Sequence, residues 1–161
     1  MIIHIVLTLL EQSWAKQWAT AIYDASTNMN LVDAKVDSGR DSLELDIVGF
    51  SGELAFAKLV NQFPSTDTDG PTPIDCTYNG KTIDVKTTPY TSGKLLSRPE
   101  HKGKSAEAFV LLTGTPEDGY IYRGWFLAAD LFQDKFLTDL GHGSTYAVPQ
   151  HLLKQGLPEF K

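Results

Sequence analysis

A chain of 161 residues is long enough to bury a substantial core yet short of two ordinary domains, so a single domain is expected. Its composition, 42% hydrophobic and 21% charged, is that of a globular protein, and no apolar run approaches the roughly 20 residues needed to span a bilayer, so no membrane partner is expected. The net charge of −6 argues against nucleic acid until its distribution is considered. Residues 81–104 carry six of the 14 basic residues (Lys81, Lys86, Lys94, Arg98, Lys102, Lys104) against Asp84 and Glu100, a window of +4 that leaves −10 for the rest. A local basic face attracts phosphate even on an acidic molecule; the bland alternative is a solvated, charged loop.

In chain order, Met1–Leu7 is apolar but has neither a basic leader nor a small-residue cleavage site, and reads as a strand rather than a signal. Thr8-Leu9-Leu10-Glu11 fits a capping box at a helix start. Leu10, Trp14, Trp18 and Ile22, with Ala15 and Ala21 beside them, then recur at helical spacing to about residue 27. Residues 28–40 read as a polar loop. A second helix over about 41–62 follows from Leu43, Ile47, Phe50, Leu54 and Leu59, with Pro64 as its stop. Gly49, Glu53 and Ala57 lie at i, i+4 and i+8, a stripe that lets the helix approach a sheet closely with one carboxylate between them. Residues 65–72 are a loop by composition.

Pro73–Tyr78 and Lys81–Thr88 are strand-like runs joined by Asn79-Gly80, the preferred pair for a two-residue type I′ turn. Ala108–Thr113 and Tyr120–Leu127 look like two more strands separated by Pro116-Glu117-Asp118-Gly119. Ala128–Leu137 looks helical, Thr145–Val148 like a strand, and Gln150–Lys154 like a short helix opened by Pro149. The lone cysteine, Cys76, has no internal disulfide partner, which suits a reducing compartment and makes the cytoplasm the default location.

The hairpin carries the chemistry. A two-residue loop fixes register, so Tyr78 faces Lys81, Thr77 faces Thr82, Cys76 faces Ile83, and Asp75 faces Asp84. The two aspartates become direct neighbours with Cβ atoms roughly 4.5–5.5 Å apart, where like charges destabilise a sheet unless a cation joins them. Alternation puts Thr77, Thr82 and Lys86 on their face and leaves Ile74, Cys76, Ile83 and Val85 as an apolar reverse. Two carboxylates, completed by waters and substrate phosphate, suit Mg²⁺ or Mn²⁺, and an ammonium one pleat beyond Asp84 can hold a phosphate oxygen or orient a water. On hairpin geometry alone, an ordinary exposed Asp84–Lys86 ion pair explains the same residues.

These residues resemble the PD-(D/E)XK nuclease superfamily, with Gly52-Glu53-Leu54-Ala55 like its first motif, Pro73-Ile74-Asp75 like its second and Asp84-Val85-Lys86 like its third. The proline stands two residues before Asp75 rather than next to it. More loosely, Thr8 to Gly124-Trp125 resembles small proteins of phages and bacteria. The resemblance implies an α/β fold with a restriction-endonuclease-like αβββαβ core and a mixed central sheet flanked by helices, its helix–hairpin part covering about residues 41–88. It further implies that Asp75, Asp84 and the carbonyl of Val85 bind the metal, that Glu53 is a further or water-mediated ligand, and that Lys86 positions the nucleophile. The implied reaction is hydrolysis of a phosphodiester, of DNA, leaving a 5′ phosphate.

Thr87 and Thr88 offer hydroxyls to a phosphate, and Lys94, Arg98, Lys102 and Lys104 offer cations to a nucleic-acid backbone. Gln150 resembles, distantly, a downstream glutamine of some branches of the superfamily. Trp14, Trp18, Trp125 and Phe126 read as core. His4, His101, His142 and His151 show no paired spacing for zinc, and neither a serine-nucleophile elbow nor a phosphate-binding loop is present. Two rival readings are an inactive nucleic-acid- or protein-binding module on the same fold, and a structure-selective junction resolvase. A homodimer would suit cleavage of both strands, although no residue pattern requires one.

Overall fold

The computed structural model describes residues 2–28, 42–63, 75–103 and 106–159. Strand β1 (Ile3–Ile5) gives way to helix α1 (Leu9–Asn28) at Thr8, where the expected capping box forms. Thr8 N–H donates to Glu11 Oε2 at 2.7 Å, and Glu11 N–H donates to Thr8 Oγ1 at 3.2 Å. Lys58 Nζ, from the next helix, ties the same carboxylate at 2.8 Å. Thr8→Ala should therefore cost about 1 kcal/mol in a urea melt, because the N–H of Glu11 loses its acceptor.

The inward face of α1 is rotated from the one the spacing suggests. Ala15 and Ala19 are fully buried, whereas Leu10 is 80% exposed and Ala21 faces solvent. The small pair lets the next helix, α2 (Ser42–Leu59), lie close, while Trp14 and Trp18 wrap Phe50 at ring separations of 6.4 and 5.9 Å. Both tryptophans pack on the core, as read from the sequence. The stop of α2 is a backbone device. Asn61 adopts φ +54, Asn61 N–H bonds Lys58 O, and Gln62 N–H bonds Ala57 O, which closes the last turn in a left-handed cap. Pro64, the expected stop, lies outside the described residues, as do the loops assigned to 65–72 and to most of 28–40.

Strands β2 (Cys76–Tyr78), β3 (Lys81–Thr88), β5 (Ala108–Thr115) and β6 (Gly119–Leu127) join β1 in a mixed five-stranded sheet of order β1-β6-β5-β3-β2. β3 and β5 are parallel; the other neighbours are antiparallel. A parallel pair needs a crossover of a dozen or more residues, which 89–107 supplies. Its described part holds strand β4 (Leu95–Ser97) and a 3-10 turn at Pro99–His101. β4 pairs with β8 (Ser144–Val148), and β8 with β7 (Leu137–Asp139), in a second, three-stranded sheet.

Two expected helices are shortened. Ala128–Leu137 becomes α3 (Ala128–Leu131), a 3-10 turn at Asp134–Phe136 and the first residue of β7. Breaking the helix lets Leu131 and Phe136 both enter one core, where Phe136 meets Phe126 edge-on at 5.7 Å. Gln150–Lys154 is a single 3-10 turn, Gln150–Leu152. The central sheet is thus covered on one face by α1 and α2, over Ile83, Val85, Val110, Leu112 and Tyr120, and on the other by the small sheet, over Phe109, Leu111 and Phe126. Among the described residues, no helix is long and apolar enough to cross a membrane.

Candidate active site

Asn79 and Gly80 have φ of +50 and +75, the pair of left-handed residues that a type I′ turn demands. Tyr78 then pairs with Lys81, Thr77 with Thr82 and Cys76 with Ile83, the register read from the sequence. The apolar reverse face also forms, with Cys76, Ile83 and Val85 in the core beneath the helices.

The expected fourth pair does not. Asp75 N–H donates at 2.9 Å to the carbonyl of Ile83, already the partner of Cys76, so two residues oppose one in a β-bulge and Asp75 is not directly opposite Asp84. Opposed like charges would destabilise that step of the ladder, and the bulge avoids the juxtaposition. The re-aimed carboxylate accepts the N–H of Val85 at 2.5 Å, replacing the strand that ends there. N–H and C=O of one strand residue leave on the same edge, so the Val85 carbonyl is directed to the Asp75 side of β3.

Asp84 is 2% exposed. Lys86 Nζ lies 2.6 Å from Asp84 Oδ1 in an ion pair, but off the angle of a directed hydrogen bond, and neither oxygen of Asp84 receives one. The pair is therefore buried at its acidic end, unlike the exposed surface pair the hairpin alone would allow. Lys86 leans back over Phe109, 5.9 Å from the ring centroid, with 27% of its side chain exposed.

Glu53 reaches the cluster from α2. Burial first, and then the charges of Asp75 and Asp84, hold its carboxyl well above the usual carboxylate range, against the pull of Lys86. Burial and then Asp84 push the Asp75 carboxyl up to about 7, opposed by the Val85 N–H and by Lys86. Burial beside the same acids pushes the Cys76 thiol up to about 12, so it is no nucleophile. Three acidic groups thus crowd one ammonium, and a divalent cation there would favour their ionised forms.

That imbalance predicts a pH dependence of the metal-free chain. The folded Asp75 pKa of about 7 lies above its ordinary 3.8, so between those values the folded state binds the extra proton. Stability should fall as pH rises from about 4 to about 7, with a slope of up to ~1.4 kcal/mol per pH unit for each proton. Glu53 acts in the same direction. Urea midpoints at pH 5 and pH 7.5 in EDTA check it; a midpoint higher at pH 7.5 would contradict the raised carboxyls.

The glycine that brings α2 to the sheet is Gly52, not Gly49. A Cβ on Gly52 would stand 2.1 Å from Thr87 Oγ1, whereas one on Gly49 would meet nothing within 4 Å. Ala57, the third member of the expected stripe, is fully buried. Thr87 is consequently half-buried with its hydroxyl enclosed beneath α2, away from the Asp84 face, and is not placed to meet a phosphate. Thr88 Oγ1 accepts the N–H of Tyr90 at 3.3 Å and turns the chain into the crossover. Lys94 and Lys102 are exposed and Arg98 is half-buried, flanking β4 and its following turn; Lys104, Pro73 and Ile74 lie outside the described residues.

Gln150 is a loop clamp. Its Nε2 donates to Thr91 O at 2.8 Å and to Gly93 O at 2.7 Å, holding the start of the crossover onto the segment after β8.

Among the described residues, no three His, Cys, Asp or Glu side chains converge on one metal position. The donor chemistry nevertheless fits Mg²⁺ or Mn²⁺, which binds through one or two carboxylates and takes its remaining oxygens from water and phosphate. The enclosed, unbonded oxygens of Asp84 are what such an ion would satisfy. No family model, curated protein or solved structure matched the chain.

Proposed function

We propose that this protein is a divalent-metal-dependent nuclease that hydrolyses phosphodiester bonds of DNA. The observation that carries the reading is the enclosed Asp84 carboxylate, ion-paired with Lys86 but without a hydrogen bond at either oxygen, beside two more carboxyls whose pKa burial and neighbouring acids raise. A structural ion pair needs one acid and one base; this site concentrates acid beyond what Lys86 can neutralise.

In this reading Asp75, Asp84 and the Val85 carbonyl would hold Mg²⁺ or Mn²⁺, with Glu53 as a further or water-mediated ligand. The ion would supply a polarised water and positive charge for the departing 3′ oxygen. Lys86 holds the attacking water or a phosphate oxygen by hydrogen bonds from its ammonium. Phe109 and the packing of β4 on β5 keep bulk water from Asp84 and so strengthen its field.

The restriction-endonuclease-like core finds support in the order α2, β2, β3 and in the parallel neighbour β5. The crossover departs from it, since its described part holds a strand and a 3-10 turn where that core has a helix.

The test is incubation of plasmid and linear DNA with Mg²⁺, Mn²⁺ or EDTA beside Lys86→Ala. Wild type should cleave only with the divalent ion, and Lys86→Ala about 10²-fold more slowly. If wild type and variant degrade DNA equally, or the wild type cleaves under no divalent ion, the enzyme is lost and the binding-module reading stands.

A further inference from the structure

Asp84 and Lys86 do not open onto free solvent. Their register partners on β5 are Phe109 and Leu111, so all four side chains share one face of the central sheet. That face is covered. Leu95 of β4 and Tyr146 and Val148 of β8 pack on Phe109, Leu111 and Phe126, placing the small sheet as a roof beside the catalytic strand.

The roof is fastened at several points. The Gln150 amide grips Thr91 and Gly93. Gly93 lies so close to Thr88 that an added Cβ would stand 2.2 Å from its Cγ2. Thr145 Oγ1 donates to Ser97 O at 3.1 Å, locking β8 to β4. α2, packed on β3, closes the other face of the sheet. Asp84 is left 2% exposed, and the Lys86 side chain, 27% exposed, is the part of the pair that reaches solvent.

A phosphodiester must bring an oxygen within about 2 Å of an ion held on these carboxylates. A duplex presents its phosphates on a stiff, broad surface and cannot follow them under a fastened roof. A single strand bends freely, turns its bases outward and threads one phosphate at a time along a cationic groove. Lys94 and Arg98 flank β4, and Lys102 follows its 3-10 turn, three cations against the single acid Glu100 over this stretch, which such a strand could track.

We infer that the substrate is single-stranded DNA, or the single-stranded end of a duplex, entering between the roof and the edge of β3. The inference deepens the nuclease reading and rests on the same site. Its test uses the full chain with end-labelled 20-mers as a single strand, a blunt duplex and a duplex with a single-stranded overhang. Cleavage is followed in Mn²⁺ and binding by anisotropy in Ca²⁺.

The expected result is at least tenfold faster cleavage, and tenfold tighter binding, of the single strand and the overhang than of the blunt duplex. Equal or faster attack on the blunt duplex overturns the inference while leaving a nuclease. Strand-selective binding without cleavage of any substrate sustains the strand preference and removes the nuclease. Neither binding nor cleavage of any of the three overturns both. As a check on the roof, Gln150→Ala should narrow the preference at least threefold, with circular dichroism confirming its fold; an unchanged preference in a folded Gln150→Ala would remove the roof as its cause.

Discussion

Asp84→Asn is expected to lower divalent-dependent cleavage by about 10³-fold or more while leaving the chain at least as stable as wild type. A ligand at a catalytic ion contributes several kcal/mol to the barrier, and ~4 kcal/mol corresponds to three powers of ten in rate. Stability moves the other way because the replaced charge is enclosed, receives no directed hydrogen bond and raises the energy of Asp75 and Glu53 beside it. Lys86, with 27% of its side chain exposed, can turn to water when its partner is neutral. The paired measurement is thermal melting in EDTA against single-turnover cleavage in Mn²⁺. A variant that melts well below wild type would mark Asp84 as a structural ion-pair partner, and one that cleaves normally would remove it from the chemistry.

The largest effect on stability is expected at Gly52→Ala. Helix propensity favours alanine by up to ~1 kcal/mol, but the new Cβ would stand 2.1 Å from Thr87 Oγ1, 2.8 Å from its Cγ2 and 3.0 Å from its Cβ. A buried overlap of that size costs about 3 kcal/mol, so a net loss near 2 kcal/mol should appear in denaturant melts. The next residue is Glu53, and lifting α2 from β3 withdraws its carboxyl from the site, so cleavage should fall as well. Adding Thr87→Ala removes the two closest overlaps and should restore part of the loss, giving a coupling energy of about 1 kcal/mol or more. Additive losses in the double variant would mean that the helix does not press on Thr87 as described.

The hairpin was the most legible part of the chain because two independent signals coincide there. Asn79-Gly80 selects the turn, and the alternation of Ile83 and Val85 with Asp84 and Lys86 selects the face. Glu53 was marked by helical spacing, as the one carboxylate on the Gly49–Ala57 stripe, but its place beside the aspartates came only from the resemblance. The bulge at Asp75 was not legible. It shows in the sequence only as the improbability of two opposed aspartates, and that improbability is equally an argument for a metal. Gly52 was overlooked in favour of Gly49 because helical spacing names a stripe without saying which rotation the helix adopts against the sheet. Strands β4 and β7, of three residues each, are too short for any period to register, so the roof and the clamp made by Gln150 appear only in three dimensions.

The pairing of β1 with β6 bears on the order in which this molecule can be assembled. Ile3 meets Tyr122 and Ile5 meets Tyr120, so β1 has no strand partner in the central sheet until β6 is complete. At roughly 5–20 residues per second of translation, the apolar segment Ile2–Leu7 waits on the order of ten seconds with its edge open. Closure of the central sheet is then a late event that joins distant parts of the chain, and the small sheet that covers Phe109 and Leu111 cannot form before β8 arrives. A nascent chain should therefore be open to chaperone capture until β6 and β8 have emerged.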